Sequence, residues 1–281
     1  MIKGQEHKVL DHGFVRVVDV MGDDSAVVQA ARVSYGDGTK SVREDEGLIR
    51  YLMRHWHTTP FEMCEIKFHV KLPIFVARQW IRHRTANTNE YSARYSEVKD
   101  EFYVPEPEQV RAQSKTNKQG RGEKLDAEAS EEFLQGLRYI NSESFYTYHS
   151  GLHELNVARE TSRIVLPLNT YTEWYWKTDL HNLLHFCRLR ADPHAQWEIR
   201  QYAEAILKIV EQWVPATYRA FVDYRLNAHT FSGPEMELLR RLINRPGESV
   251  VLQFKEGQLG LTNREMKEFA KALGTKCEIT V

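Results

Sequence analysis

Hydrophobic positions recur every second residue in some stretches of this chain and every third or fourth in others, the two periods that distinguish strands from helices. Phe14 to Met21, dense in valine and ending at Gly22, predicts a mostly buried strand. Asp24 or Ser25 is placed to cap a helix whose apolar face is Val27, Ala30, Ala31 and Val33, with Arg32 and Ser34 near its end and Gly36-Asp37-Gly38 closing it. A second helix is predicted from about Glu44 to His55, with Leu48, Tyr51 and Leu52 inward, before a turn at His57-Thr58-Thr59-Pro60. Glu65 to Lys71 alternates cleanly, as a strand with one dry face does. Pro73 then opens a helix from Ile74 to about Arg82 that buries Phe75, Val76 and Trp80 and brings Gln79, Arg82 and His83 near one another.

Residues 105–128 hold almost no apolar side chain and predict a mobile surface excursion without chemistry of its own. Helices are predicted from about Ala129 to Leu152 and from about Asn156 to Val165, the second stopped by Pro167. Thr170 to Trp176 is β-prone, after which Asp179 caps a helix from His181 to Arg190. An amphipathic helix from His194 to about Trp213 faces inward with Ala195, Ile199, Tyr202, Ala203, Ile206, Ile209 and Val210. The last fifty or so residues carry capping boxes at Ser232-x-x-Glu235 and Thr262-x-x-Glu265 and a helix stop at Gly274. The pattern predicts one α+β domain over 1–228, an antiparallel sheet packed against long helices, and a small C-terminal appendage over 229–281.

Composition narrows the function. With 38 basic and 39 acidic residues the formal net charge is −1, so no global basic field is available to nucleic acid, and an anion must be caught locally. The cysteines, Cys64, Cys187 and Cys277, are odd in number and unpaired in motif, which points to reduced thiols in a cytoplasmic setting. Cys64 and Cys187 read as small core residues. The first residues lack the apolar core of a signal peptide and no stretch approaches a membrane span, so no membrane partner is expected.

Against that background one segment stands out. Arg82-His83-Arg84 is followed by Ser92 within Asn89-Glu90-Tyr91-Ser92-Ala93-Arg94-Tyr95, a concentration of donors suited to a phosphate and a planar, electron-rich ring. A basic triplet at a helix end also complements the helix dipole, but here Gln79, Asn87, Asn89 and Glu90 join it with hardly an apolar anchor. His181 and His185, like His149 and His153, have a metal-ligand spacing without an accompanying glutamate or cysteine cluster, and no metal site is expected.

The Arg-His-Arg triplet, seven residues and Ser92 resemble the signature of flavin-dependent thymidylate synthases. So do His57-x-Thr59-Pro60-Phe61-Glu62, Pro73 to Trp80, Arg163-Ile164-Val165-Leu166-Pro167, and Leu189-Arg190-Ala191-Asp192-x-His194-Ala195-Gln196-x-Glu198-Ile199, in family order across most of 13–225. The resemblance implies FAD held by Arg82, His83 and Arg84 with Ser34, His57, Thr59, Glu90, Asp179, Leu180, His181 and His185, several protomers contributing to one pocket. It implies deoxyuridine monophosphate (dUMP) against Gln79, Trp80, Ile81, Arg82, Glu90, Tyr91, Ser92, Ala93, Arg94, Arg163 and Arg190. Arg94 and Arg163 suit the phosphate, and Arg190 at the uracil imide would stabilise charge developing on the ring. Arg190 is therefore the expected catalytic residue, with Ser92 a second candidate whose hydroxyl would need an adjacent base to act as nucleophile.

The activity implied is reductive methylation of dUMP to thymidylate with methylenetetrahydrofolate as carbon donor and NADPH reducing the FAD, in a homotetramer. His57 and Tyr91 are expected on the folate side. No G-x-G-x-x-G follows a strand, so a Rossmann route to flavin is not supported. Two other readings stay open at this point: a nucleotide- or RNA-binding protein without catalysis, using the arginines and aromatics of 82–95, and a flavin-binding scaffold that has lost activity.

Overall fold

The computed structural model describes residues 2–33, 42–115, 118–243, 251–255, 257 and 260–280. The chain divides into two compact units, Met1–Asn227 and Ala228–Val281.

The first unit is built on a five-stranded antiparallel sheet in the order β1-β2-β3-β7-β4. Its strands are β1 (Glu6–Val9), β2 (Gly13–Met21), β3 (Glu65–Pro73), β4 (Asn87–Glu90) and β7 (Tyr171–Asp179). Alternation does what the period-2 pattern predicts: Ile66, Phe68 and Val70 of β3 are buried, as are Trp174 and Trp176 of β7, while Lys67, His69 and Lys177 point the other way. The dry face is covered by α4 (Ile74–Trp80), α7 (Leu180–Arg190) and α8 (Trp197–Trp213). Trp80 stacks on Phe186 at 4.5 Å and meets Trp174, Trp176 and Tyr202 edge-on. Edge-to-face contacts of this kind add to the area they bury. Tyr202 donates to the Lys71 carbonyl at 2.8 Å. Gly13 is needed beneath that phenol, because a Cβ there would lie 2.1 Å from its oxygen.

Outside the sheet stand α1 (Asp24–Arg32), α2 (Val42–Arg54), the single turn α3 (Thr59–Glu62), the 27-residue α5 (Ala127–His153), the turn α6 (Arg159–Ser162) and α9 (Pro215–Phe221). The cap of α1 is Asp23, one residue before the expected pair, with its carboxylate accepting from the amides of Ser25 and Ala26. Asp126 and Asp179 cap α5 and α7 in the same way.

Three expectations need correction. The helix predicted over Asn156–Val165 is only α6 and a following 3₁₀ turn at Arg163–Val165; Asn156 sits at φ +53 and Ile164 is 75% exposed, so the apolar residues there never form one buried face. The described residues of the polar stretch 105–128 carry regular structure: β5 (Arg111–Gln113) and β6 (Arg121–Lys124) form a hairpin, Val110 is buried beside it, and Arg121 ion-pairs with the buried Glu198. Polar anchoring replaces the apolar anchoring that the pattern looked for. Finally, α8 starts at Trp197 instead of His194, because Asp192 turns back to accept from the His194 amide at 2.8 Å.

The second unit holds α10 (Gly233–Ile243), β8 (Val251–Lys255), α11 (Asn263–Leu273) and β9 (Lys276–Thr280). β8 and β9 pair in parallel, which demands a crossover, and α11 supplies it. Both capping boxes form, and Gly274 closes α11 at φ +72.

Candidate active site

The end of α7 gathers the first group of functional side chains. Arg190, its last residue, donates through Nε to His83 Nε2 at 3.0 Å and through Nη2 to the Gln79 carbonyl at 3.2 Å. No carboxylate pairs with it among the described residues, and its partial burial lowers its pKa. Burial, then the charge of Arg190, then His185 push His83 down to about 4. His83 is therefore neutral at physiological pH, and because Nε2 accepts from Arg190 its proton belongs on Nδ1. Its ring is wedged between His185 at 6.1 Å and Phe186 at 5.0 Å. Arg82 and Arg84 flank it in solvent with no side-chain partner among the described residues.

Trp80 does not share this exposure. Its side chain is fully buried in the aromatic cluster, so only its backbone is left to a ligand, whereas Ile81 is 49% exposed. Leu180 is likewise buried, its amide donating to the Cys64 carbonyl at 2.8 Å.

A second group lines a cavity of about 390 Å³ at the edge of the sheet. Asn87–Glu90 pairs with β7 and the Tyr91 amide extends the ladder to the Glu173 carbonyl at 2.8 Å, so the motif runs on an edge strand that then turns into the cavity. Its hydrophobic pattern is blank because every residue of β4 is exposed. Glu90, Tyr91, Ser92 and Ala93 form one wall, Arg163 and Leu166 another, and Lys71, Thr172 and Glu173 the floor. Glu90 accepts from the Thr172 hydroxyl at 2.8 Å, and Ser92 Oγ accepts from the Arg94 amide at 3.3 Å. Arg94 makes an exposed ion pair with Glu160 at 3.0 Å.

The sequence pattern did not single out the floor's charges. Lys71 pairs with Glu101 at 2.7 Å; Glu173 accepts from His69 at 2.8 Å and from Lys99 at 3.3 Å. Burial opposes the charge on Glu173, but those two bonds prevail and hold its carboxyl below the usual range. The available signal was the wet-face alternation of β3, where His69 and Lys71 follow each other at period 2.

The third group faces a shallow cleft of about 50 Å³ lined by His57, His181, His185, Arg188 and Arg225 over Phe61, Leu184 and Phe221. His57 also borders a neighbouring 810 Å³ cleft with Thr59, Pro60 and Tyr51. Thr59 begins α3 and so is not a loop residue. Asp179 spends its carboxylate on Asn182, and Ser34 lies outside the described residues. Trp56, another residue the pattern missed, holds a left-handed backbone at φ +62 where α2 ends, with the Arg225 guanidinium 3.4 Å from its ring centroid. Burial, then Arg188, push Arg225 down to about 10.

Cys64 and Cys187 are buried, and burial raises both thiols, Cys64 to about 11. Neither can supply a thiolate at neutral pH. The His149 and His153 rings lie 4.3 Å apart, tilted by 43°, and no group of three metal-ligating side chains occurs among the described residues. No helix of the described residues is long and apolar enough to cross a membrane.

Comparison with known proteins now decides the family. The model of the thymidylate synthase complementing proteins, Thy1, matches residues 16–216. The chain belongs to this family, the flavin-dependent thymidylate synthases. A flavin-dependent thymidylate synthase of Ruegeria pomeroyi is 58% identical over 271 residues, covering 95% of this chain and 88% of the relative; one of Gluconobacter oxydans is 60% identical over 268 residues, with 95% and 86% covered. Alignments covering 95% of the chain must enter the second unit, which therefore is shared with those flavin-dependent thymidylate synthases. Among solved structures, a UMP/dUMP methylase of Streptomyces cacaoi bound with 5-bromo-dUMP is 34% identical with a TM-score of 0.71, covering 78% of this chain and 99% of its own.

Proposed function

We propose that the chain reductively methylates dUMP to thymidylate, with methylenetetrahydrofolate as one-carbon donor and NADPH as reductant of a bound FAD. The observation that carries the reading is Arg190, a half-buried guanidinium without a carboxylate partner among the described residues, steadied by a neutral histidine and a backbone carbonyl. A cation held in this way can be turned wholly to negative charge that develops on a pyrimidine ring, which raises the nucleophilicity of its 5-carbon.

The nucleotide's phosphate suits Arg163 and Arg94 with the amides of Ser92 and Ala93, and a phosphate can displace the exposed Glu160 from Arg94, because such surface pairs are weak. Gln79, Glu90 and Tyr91 complete the nucleotide contacts. Ser92 acts by binding and not by attack: its hydroxyl touches the Arg94 amide and no base among the described residues.

The donor set fits FAD. His57, His181 and His185 offer imidazole faces and donors and line the cleft with Arg188 and Arg225; the exposed Arg82 and Arg84 offer further positive charge for a pyrophosphate. When bound and reduced, FAD would supply the hydride that completes the methyl group. The chain's own contribution is to bind, orient and exclude water. His57 joins the 50 Å³ cleft to the neighbouring 810 Å³ cleft, and the pocket is proposed to be completed by other copies in a homotetramer. The protein is expected in the cytoplasm, without nucleic-acid partners.

Purified protein incubated with FAD should turn yellow and form thymidylate from dUMP only when NADPH and methylenetetrahydrofolate are both present. Colourless protein, or flavin absorbance without thymidylate, sinks the reading.

A further inference from the structure

A line of side-chain hydrogen bonds runs from the first turn of α8 to Gln79. Glu198, 3% exposed, receives Arg121 from the hairpin and the Tyr103 hydroxyl at 3.2 Å on Oε1, and the Gln196 amide nitrogen at 2.9 Å on Oε2. Gln196 accepts in turn, through Oε1, from the amide nitrogen of Gln79. Arg190 donates to the backbone carbonyl of the same residue, a bond that the Gln79 side chain does not set. We propose that Glu198 is a positioning residue for the Gln79 side chain, acting through the Gln196 side chain, and that the hairpin of β5 and β6 serves the site by supplying the arginine that holds Glu198.

The argument is one of donor and acceptor direction. An amide side chain can be turned over with little change of shape, so its orientation must be set by a partner that cannot reverse roles. An ionised carboxylate only accepts, and Arg121 only donates. With Tyr103 kept a donor by burial and by the nearby carboxylate, Glu198 obliges Gln196 to present nitrogen toward it and oxygen toward Gln79. Gln79 must then give Gln196 its nitrogen, which leaves its oxygen to face a ligand. One buried charge thereby determines the polarity of a substrate-facing amide two links away. It also accounts for an otherwise apolar-poor excursion carrying a hairpin.

A plainer role is available to Glu198, which sits in the first turn of α8 and complements that helix's dipole. That role would stabilise the fold and leave ligand binding untouched, and this difference is the basis of the test.

The inference rests on dUMP being the ligand of Gln79 and Arg190. Titration calorimetry with dUMP should show that Gln196→Ala, an exposed position whose loss leaves the buried ion pair intact, weakens binding on the order of tenfold without lowering the melting temperature. Glu198→Gln should weaken it similarly. In a Gln79→Ala background, where the relay is already cut, either change should add less than about twofold, because residues of one network are not additive. Undiminished binding by Gln196→Ala, or an equal loss from Glu198→Gln with and without the Gln79 amide, overturns the proposal. Wild-type protein that fails to bind dUMP at all would take down the proposed function itself, an outcome distinct from both.

Discussion

The end of α7 and the cavity at the sheet edge both collect cations, but they leave them in different states. In the cavity Lys71 and Lys99 are answered by Glu101 and Glu173, so its floor is close to neutral and Arg163 on the rim is left without a side-chain partner among the described residues. At the end of α7 the only side chain bonded to Arg190 among the described residues is an uncharged imidazole. A paired cation shapes a surface and sets its specificity; an unpaired one in low dielectric still holds its electrostatic capacity for whatever negative charge arrives. On the proposed function the cavity serves chiefly recognition, with Arg163 kept free for the phosphate, and the helix end stabilises developing charge.

The sharpest way to break that contrast is Arg190→Ala. Thymidylate formation should fall by about 10²–10³-fold or more, as when a preorganised donor to a developing charge is removed, while the flavin spectrum is retained. Residual turnover close to wild type would move the catalytic role elsewhere. Arg163→Ala should act differently, raising KM for dUMP about tenfold or more with kcat little changed, the mark of a contact made equally in ground and transition states. A matching fall in kcat would erase the distinction between the two regions.

Acid provides a subtler probe. His83, depressed to about 4 in the folded chain from an ordinary 6.5, takes up its proton more readily when unfolded. Its contribution to stability is complete above about pH 6.5 and is lost as pH falls toward 4. Within that window its resonances in NMR should stay those of a neutral ring with Nδ1 protonated, and a titration midpoint near 6.5 would contradict the neutral partner assigned to Arg190. The smallest effect is expected at Cys187→Ala: a loss of about 1 kcal/mol of stability for a small buried group, with turnover per folded molecule unchanged. Abolished turnover would restore the case for an enzyme thiol.

The strands and helices that bury one face were legible in the sequence, since β3, α7 and α8 carry uninterrupted periods and Asp179 and Thr262 announce their helices. β4 was not, because an edge strand of Asn87, Thr88, Asn89 and Glu90 owes its existence to the open ladder of β7 and to no burial of its own. The hairpin of β5 and β6 escaped for a related reason: its anchor is Arg121 on a carboxylate 77 residues away, a partnership that composition cannot reveal. The same held at the site. Arg82, His83, Arg84 and Ser92 were visible as a dense local motif, whereas the pairing of Lys99 with Glu173 and the neutrality of His83 arise only from packing.

The left-handed turn at Trp56 has a consequence of another kind. A bulky side chain at φ +62 strains the backbone by about 1–3 kcal/mol, and the Arg225 cation over its largely exposed ring returns about 0.5–1 kcal/mol. Replacement by glycine would remove both at once, so thermal stability loses little or nothing by it. A screen that selects variants for heat resistance alone would let this position drift, and an indole maintained there under selection for growth would owe its place to something other than folding.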